Sequence, residues 1–182
     1  QESVRILQAG QACGLPAKIH TDEIDPIGGT EAAGALRAVS AEHLIAATDR
    51  GIQALAEGGT VAVLLPATSF YLNKPYARAR DMIAAGVPVA AATDYNPGSC
   101  PSLNLQLVMN LACWNYRMRP EEVLTAVTLN AAAAISRADR IGSLEVGKQA
   151  DLVIWNAPNL DYIFYRFGEN LVKTVIKKGR IV

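Results

Sequence analysis

Apolar positions along the chain keep two rhythms. Val4, Ile6, Leu7, Ala9 and Ala12 recur at helical spacing and stop at Gly14 and Pro16, which predicts a helix over Ser3 to Cys13. Ala17-Lys18-Ile19-His20 and Ala38-Val39-Ser40-Ala41-Glu42-His43 read as short strands, and each ends on a histidine. Thr30 to Ala38, with Thr30 as N-cap, and Thr48 to Glu57, stopped by Gly58-Gly59, fit helices. Thr60 to Pro66 and Val87 to Asp94 are continuously apolar, as strands covered on both faces are. A helix over Lys74 to Ala85, ended by Gly86, joins them. Two more helices follow, over about 102–116 and 120–136. Pro120 suits a first helical turn, and Glu121 and Glu122 suit its positive end.

Strands thus begin near residues 17, 39, 61 and 87, roughly 20 to 26 residues apart. That interval fits successive βα units in an α/β fold with a parallel sheet. Eight such units close a barrel, so four predict half of a (β/α)8 barrel. The pattern changes near residue 141. Gly142 and Gly147 mark turns, Ala150 to Trp155 reads as a strand, and Val172 to Val182 alternates around a Lys178-Gly179 turn, as hairpins do. Two strands and a hairpin bury little core alone. Residues 1–140 are therefore expected to be barrel, and residues 141–182 to be β-strands that complete a small β-sandwich.

Composition narrows the function. Seventeen basic residues balance seventeen acidic ones, which gives no electrostatic argument for nucleic acid or an anionic membrane. No apolar run of about 18 residues reads as a membrane span. The three cysteines, Cys13, Cys100 and Cys113, are odd in number and unpaired in spacing, so free thiols in a reducing cytoplasm are expected. The start at Gln1, without Met or a signal pattern, reads as a chain picked up midway.

The two histidines, His20 and His43, and the aspartate Asp94 each fall at the C-terminal end of a predicted strand. That rim carries the active site in barrels of this kind. Imidazole nitrogen and carboxylate oxygen are ligands for zinc or iron(II). Glu23, three residues past His20, is a carboxylate able to carry a proton. Read singly, a strand-end histidine is more often structural, and Asn96-Pro97-Gly98 is a plain turn.

Taken with their neighbours these residues resemble the amidohydrolase superfamily. Lys18-Ile19-His20-Thr21-Asp22-Glu23 looks like the His-x-x-Glu segment after barrel strand 5, Ser40-Ala41-Glu42-His43 like the strand-6 histidine, and Ala92-Thr93-Asp94 like the strand-8 aspartate. The run from Ile141 to Val153 is very similar to the segment by which such chains return to their small β-sandwich. Gly59 to Pro66, Thr93 to Ser99 and Arg117 to Glu122 are similar, within the superfamily, to the imidazolonepropionase family. The resemblance implies the second half of an amidohydrolase barrel and cleavage of the ring C–N bond of 4-imidazolone-5-propanoate, giving N-formimidoyl-L-glutamate in histidine degradation.

The resemblance also implies roles. His20 and Asp94 would ligate one divalent metal, zinc or iron. Glu23 would contact substrate and shuttle a proton. His43 would polarise the substrate carbonyl, and Asp94 would also accept the nucleophile's proton. Asn96, Gly98 and Ser99 would hold the propionate or ring, with backbone N–H groups near Gly98 approaching a carboxylate. A cytoplasmic homodimer acting on a small imidazolone, with no nucleic-acid or membrane partner, is implied as well. The family's first-strand His-x-His pair is absent, as are the arginine, tyrosine and further histidine of the N-terminal half. The chain is therefore expected to be a C-terminal portion, unstable and inactive without that half. A nucleobase or aminoimidazole deaminase is the alternative enzyme, and a non-catalytic amidohydrolase-like scaffold the alternative outside catalysis.

Overall fold

A computed structural model describes residues 1–182. Helix α1 (Glu2–Ala12) leads into strand β1 (Lys18–Thr21). Then come α2 (Gly29–Ala35), β2 (Ser40–His43), α3 (Asp49–Gly58) and β3 (Val61–Leu64). Two short helices, α4 (Pro66–Tyr71) and α5 (Ala79–Ala84), precede β4 (Val89–Ala91). Helices α6 (Leu105–Asn115), α7 (Pro120–Val127) and α8 (Leu129–Ala134) follow. The last stretch holds β5 (Leu152–Trp155), α9 (Leu160–Tyr165), β6 (Val172–Lys177) and β7 (Arg180–Ile181).

Strands β1 to β4 pair in sequence order, all parallel. Alternation along each strand divides the residues between two faces. Ala41, Ala62, Leu64, Val89 and Ala91 point into the main core, with Leu55, Met82, Val108 and Met109 from the helices. Val61, Val63, Leu65 and Ala90 point the other way, where Ala131, Ala133 and Ala134 of α8 cover them. On that second face β1 and β2 are polar. Lys18 Nζ lies 3.1 Å from Glu42 Oε1 and donates to the Ala134 carbonyl at 2.8 Å. The expectation of an α/β fold built on a parallel sheet holds. The antiparallel order β5-β6-β7 forms a separate three-stranded sheet, with a two-residue turn at Lys178-Gly179. Both turn residues have positive φ, 52° and 75°, as the right-handed twist of a tight hairpin requires.

Two buried amides of α6 tie the later segment to the helices around the parallel sheet. Asn110 Nδ2 donates to the Phe164 carbonyl at 2.9 Å, and Gln106 Oε1 accepts from the Leu171 N–H at 2.9 Å. They anchor α9, an element the sequence pattern did not predict and whose cap is the Asn159 side chain.

Other differences have local causes. The helix expected over 74–85 covers only 79–84, because Pro75 disfavours helical backbone at Lys74. Pro66 opens α4 rather than ending a longer strand, since its fixed φ suits a first turn. The helix expected over 120–136 breaks at Thr128, with φ −122° and ψ −87°, where its hydroxyl donates back to the Leu124 carbonyl at 2.6 Å. Thr30 is not the N-cap of α2. Gly28 is, and Thr30 lies inside the first turn. Asp94 lies three residues beyond β4, because its φ of 55° cannot continue a strand.

Helices α2 and α3 approach through glycine. A Cβ on Gly34 would stand 2.2 Å from the Ala54 carbonyl oxygen, and one on Gly58 would stand 2.4 Å from that of Gly34. Gly34→Ala is therefore expected to destabilise the protein by about 1–3 kcal/mol, outweighing its helix-propensity gain of about 1 kcal/mol. Urea midpoints of the two proteins check this; equal midpoints would mean that the helices separate freely.

Candidate active site

Parallel pairing sets the site. Thr21 pairs with His43 and His20 with Glu42, so β1 and β2 finish at the same level. Glu23 lies two residues past β1, and Asp94 lies beyond the end of β4 on the same side of the sheet. Here His20 Nε2 is 3.0 Å from Glu23 Oε2. The other oxygen of Glu23 is 3.7 Å from His43 Nδ1, and His43 Nε2 is 3.9 Å from Asp94 Oδ2. The imidazole rings of His20 and His43 are 4.2 Å apart between centroids. All four expected acid, base and ligand residues therefore meet, with His43 at the centre. His43 is buried, 4% exposed as a side chain, whereas His20 is 63% exposed.

Burial pushes the His43 imidazolium down and the neighbouring His20 adds to that. The carboxylates of Glu23, Asp94 and Glu42 oppose both without overcoming them. The ring is thus held below its ordinary value of 6.5 and is neutral at neutral pH. Neither of its nitrogens is within hydrogen-bond distance of the flanking carboxylates, which lie 3.7 and 3.9 Å away. The closest donor set is His20, Glu23 and His43, whose ligand atoms all lie within 4.8 Å of one another. Two imidazoles with carboxylates at that spacing suit a zinc or iron(II) ion. The sequence reading paired His20 with Asp94; in the structure Asp94 joins the group through His43.

Several backbone positions here are left-handed without being glycine: Asp22 (49°), His43 (72°), Leu44 (60°) and Asp94 (55°). Such strain survives where surrounding bonds hold it. Asp22 shows how. Its carboxylate, 2% exposed, accepts from the N–H groups of Ile27 and Gly29 at 3.2 Å and of Thr30 at 2.9 Å, and from the hydroxyls of Thr21 and Thr30. Its carbonyl accepts from the Ala46 N–H at 2.7 Å. This ties the turn after β1 to the start of α2 and to the chain leaving β2, and it aims Glu23 back at both histidines. Sequence reasoning passed over Asp22. The signal was there: a carboxylate, tolerant of positive φ, before the Gly28-Gly29-Thr30 entry to a helix.

The loop after β4 differs from expectation. The N–H groups of Gly98 and Ser99 donate to Asn96 Oδ1 at 2.9 and 2.7 Å. Asn96 Nδ2 donates to the Asp94 carbonyl and to Ser99 Oγ, both at 2.7 Å. The donors offered to a substrate carboxylate are therefore spent inside an Asx-type turn. Cys100 is buried behind it.

Comparison with known proteins follows the same lines. The model of the amidohydrolase family matches residues 12–182. The imidazolonepropionase of Alkaliphilus oremlandii (strain OhILAs) is 57% identical over 179 residues, covering 98% of this chain and 42% of that protein. That of Geobacillus kaustophilus (strain HTA426) is 55% identical over 178 residues, covering 98% and 42%. The chain thus spans less than half the length of these curated relatives. Among solved structures, an adenosine deaminase from Xanthomonas campestris with bound zinc superposes with a TM-score of 0.82 at 26% identity, over 98% of this chain and 47% of that one. Atrazine chlorohydrolase from Arthrobacter aurescens TC1, complexed with zinc, gives 0.79 at 18% identity, over 96% and 45%, a likeness of fold alone. No helix is long and apolar enough to cross a membrane.

Asp22 generates a test. Burial pushes its carboxyl up, but the hydrogen bonds from Thr30, Gly29 and Thr21 outweigh burial and hold it below its ordinary value of 3.8. A depressed folded value contributes stability that is complete above the unfolded value and lost as pH falls through the folded one. The stability difference between the native protein and Asp22→Asn is expected to be constant above about pH 5 and to shrink below pH 3.8. Denaturant titrations from pH 7 to 3 check it; a flat difference would mean that the buried group is not ionised.

Proposed function

The chain belongs to the amidohydrolase family, and on that premise we propose that it is part of an imidazolonepropionase, hydrolysing the ring C–N bond of 4-imidazolone-5-propanoate to N-formimidoyl-L-glutamate. The observation that carries the reading is the convergence of His20, Glu23, His43 and Asp94 at one edge of the sheet, in a chain so similar to imidazolonepropionases along its length. In this reading the four parallel strands are the second half of a (β/α)8 barrel. Residues 1–140 belong to that barrel, and residues 141–182 contribute strands to a small β-sandwich. The remaining strands and ligands come from the rest of the full-length protein.

His20 and Asp94 would hold one divalent ion, zinc or iron. Zinc in the 26% identical adenosine deaminase supports the choice, as does the mixed nitrogen and oxygen donor set. When bound, such an ion would supply Lewis acidity, making a water easier to deprotonate near neutral pH. The chain's residues do the rest. Asp94, turned inward on its left-handed backbone, accepts the proton of the attacking water. Glu23 stands between the two histidines, 3.0 Å from one and 3.7 Å from the other, where a carboxylate can receive a proton and return it to the departing ring nitrogen. His43, neutral because it is buried, donates its N–H to the carbonyl oxygen as charge builds there. Asn96, Gly98 and Ser99 would meet the propionate or the ring, and in doing so exchange bonds they now make with one another.

The test is imidazolone consumption by the intact protein, followed beside ammonia release from adenine and guanine compounds. Asp94→Asn is expected to lower kcat by about 10²–10⁴-fold with an unchanged circular dichroism spectrum. Near-normal turnover in that variant would sink its role. Ammonia release without imidazolone consumption would make the protein a deaminase.

A further inference from the structure

Strand β3 brings no ionisable side chain to the site. Its residues, Val61, Ala62, Val63 and Leu64, are all apolar and buried. It lies between β2 and β4, so whatever follows it stands between the chain ends that carry His43 and Asp94. Helix α4 starts there almost at once, and Thr68 occupies its first turn. Its side chain is buried, 2% exposed, and its hydroxyl donates to Asp94 Oδ2 at 2.8 Å. A threonine inside a helix can turn its hydroxyl to the carbonyl one turn back, as Thr125 does here. Thr68 does not; its hydroxyl reaches a carboxylate 26 positions away.

That bond matters because little else aims Asp94. The ladder ends before it, since β4 stops at Ala91. Its left-handed backbone leaves its side chain free of any strand alternation. Oδ2 is also the oxygen nearest His43. One hydroxyl thus fixes which oxygen faces the histidine and leaves Oδ1 for another partner.

We propose that Thr68 is a positioning residue that acts through Asp94, orienting its carboxylate by the Thr68 Oγ–H to Asp94 Oδ2 hydrogen bond. The proposal rests on the reading of Asp94 as a ligand and proton acceptor. Groups in this relation to a metal ligand commonly carry about 10–100-fold in metal affinity or activity.

Thr68→Val removes the hydroxyl and keeps the shape, whereas Thr68→Ser keeps the hydroxyl and removes the methyl. Both are made in the intact protein. Zinc affinity is measured by competition with a chelator, kcat and KM with the imidazolone, and folding by thermal melting. The valine variant is expected to lose about 10–100-fold in zinc affinity or in kcat, with KM and melting temperature nearly unchanged. The serine variant is expected to recover most of that loss. Thr68→Ala carries the same expectation as valine should the second methyl disturb packing. A valine variant equal to the native protein in both readouts overturns the proposal. So does a serine variant as impaired as valine, because packing would then be the cause. A crystal structure of the valine variant adds a measure independent of turnover: the Asp94 carboxylate is expected to rotate, and an unmoved carboxylate counts against Thr68. If the native protein neither binds zinc nor consumes imidazolone, the reading of Asp94 itself has failed, and this inference falls with it.

Discussion

In-register parallel pairing of four very short strands carries everything else in this molecule. Only three or four residues of each strand hydrogen-bond to a neighbour. Because they all run the same way, every strand delivers its outgoing chain to one edge. Chemistry-bearing groups far apart in sequence become neighbours there without any single element bringing them together. A shift of one residue in β2 would send Glu42 toward the helices and Ala41 toward the site. The small side chains of the core face, Ala41, Ala62 and Ala91, let the helices sit close enough to keep the register.

The two faces of the sheet divide the labour. The main-core face is apolar and supplies most of the burial. The other face is apolar on β3 and β4 and polar on β1 and β2, where Lys18, Ser40 and Glu42 form one connected cluster below the histidines. The functional groups rise from the polar side, and β3 supplies a rigid apolar wall with a single hydroxyl at its end. Left-handed backbone at His43 and Asp94 turns side chains inward that regular strands would direct elsewhere. Backbone strain and the bonding of Asp22 and Asn96 belong together: the side chains hold the turns that bring Glu23 and Asp94 to the histidines.

Much of this was legible in the sequence. Short apolar stretches, glycine stops and their regular spacing located the parallel strands within a few residues, and strand ends located His20, His43 and Asp94. The family resemblance supplied Glu23 its part, which spacing alone would have left as a solvated acid. What escaped was set by tertiary contact rather than local pattern. Asp22 is one acid among many until its partners at Ile27, Gly29 and Thr30 are seen. Thr68 fell between the strand read over Thr60 to Pro66 and the helix read over Lys74 to Ala85 and was given no part, because Pro66 reads equally as a stop and as a helical first residue. Asn96 is ambiguous for a different reason: the same amide serves a turn or a ligand, and only the bonds it already makes tell which comes first.

Strands β1 and β4 each have a neighbour on one side only. Their outer rims have no strand beside them; on β4 the Val89 carbonyl is taken by the Asn130 amide at 2.8 Å, and any main-chain group left open is a template for an extended chain that comes past. An uncovered sheet of this kind is adhesive at two ends at once. Copies joining rim to rim would grow into an open array instead of stopping at a pair. The pairing that gathers the reactive groups so economically therefore also leaves two rims whose covering decides whether the sheet stays single.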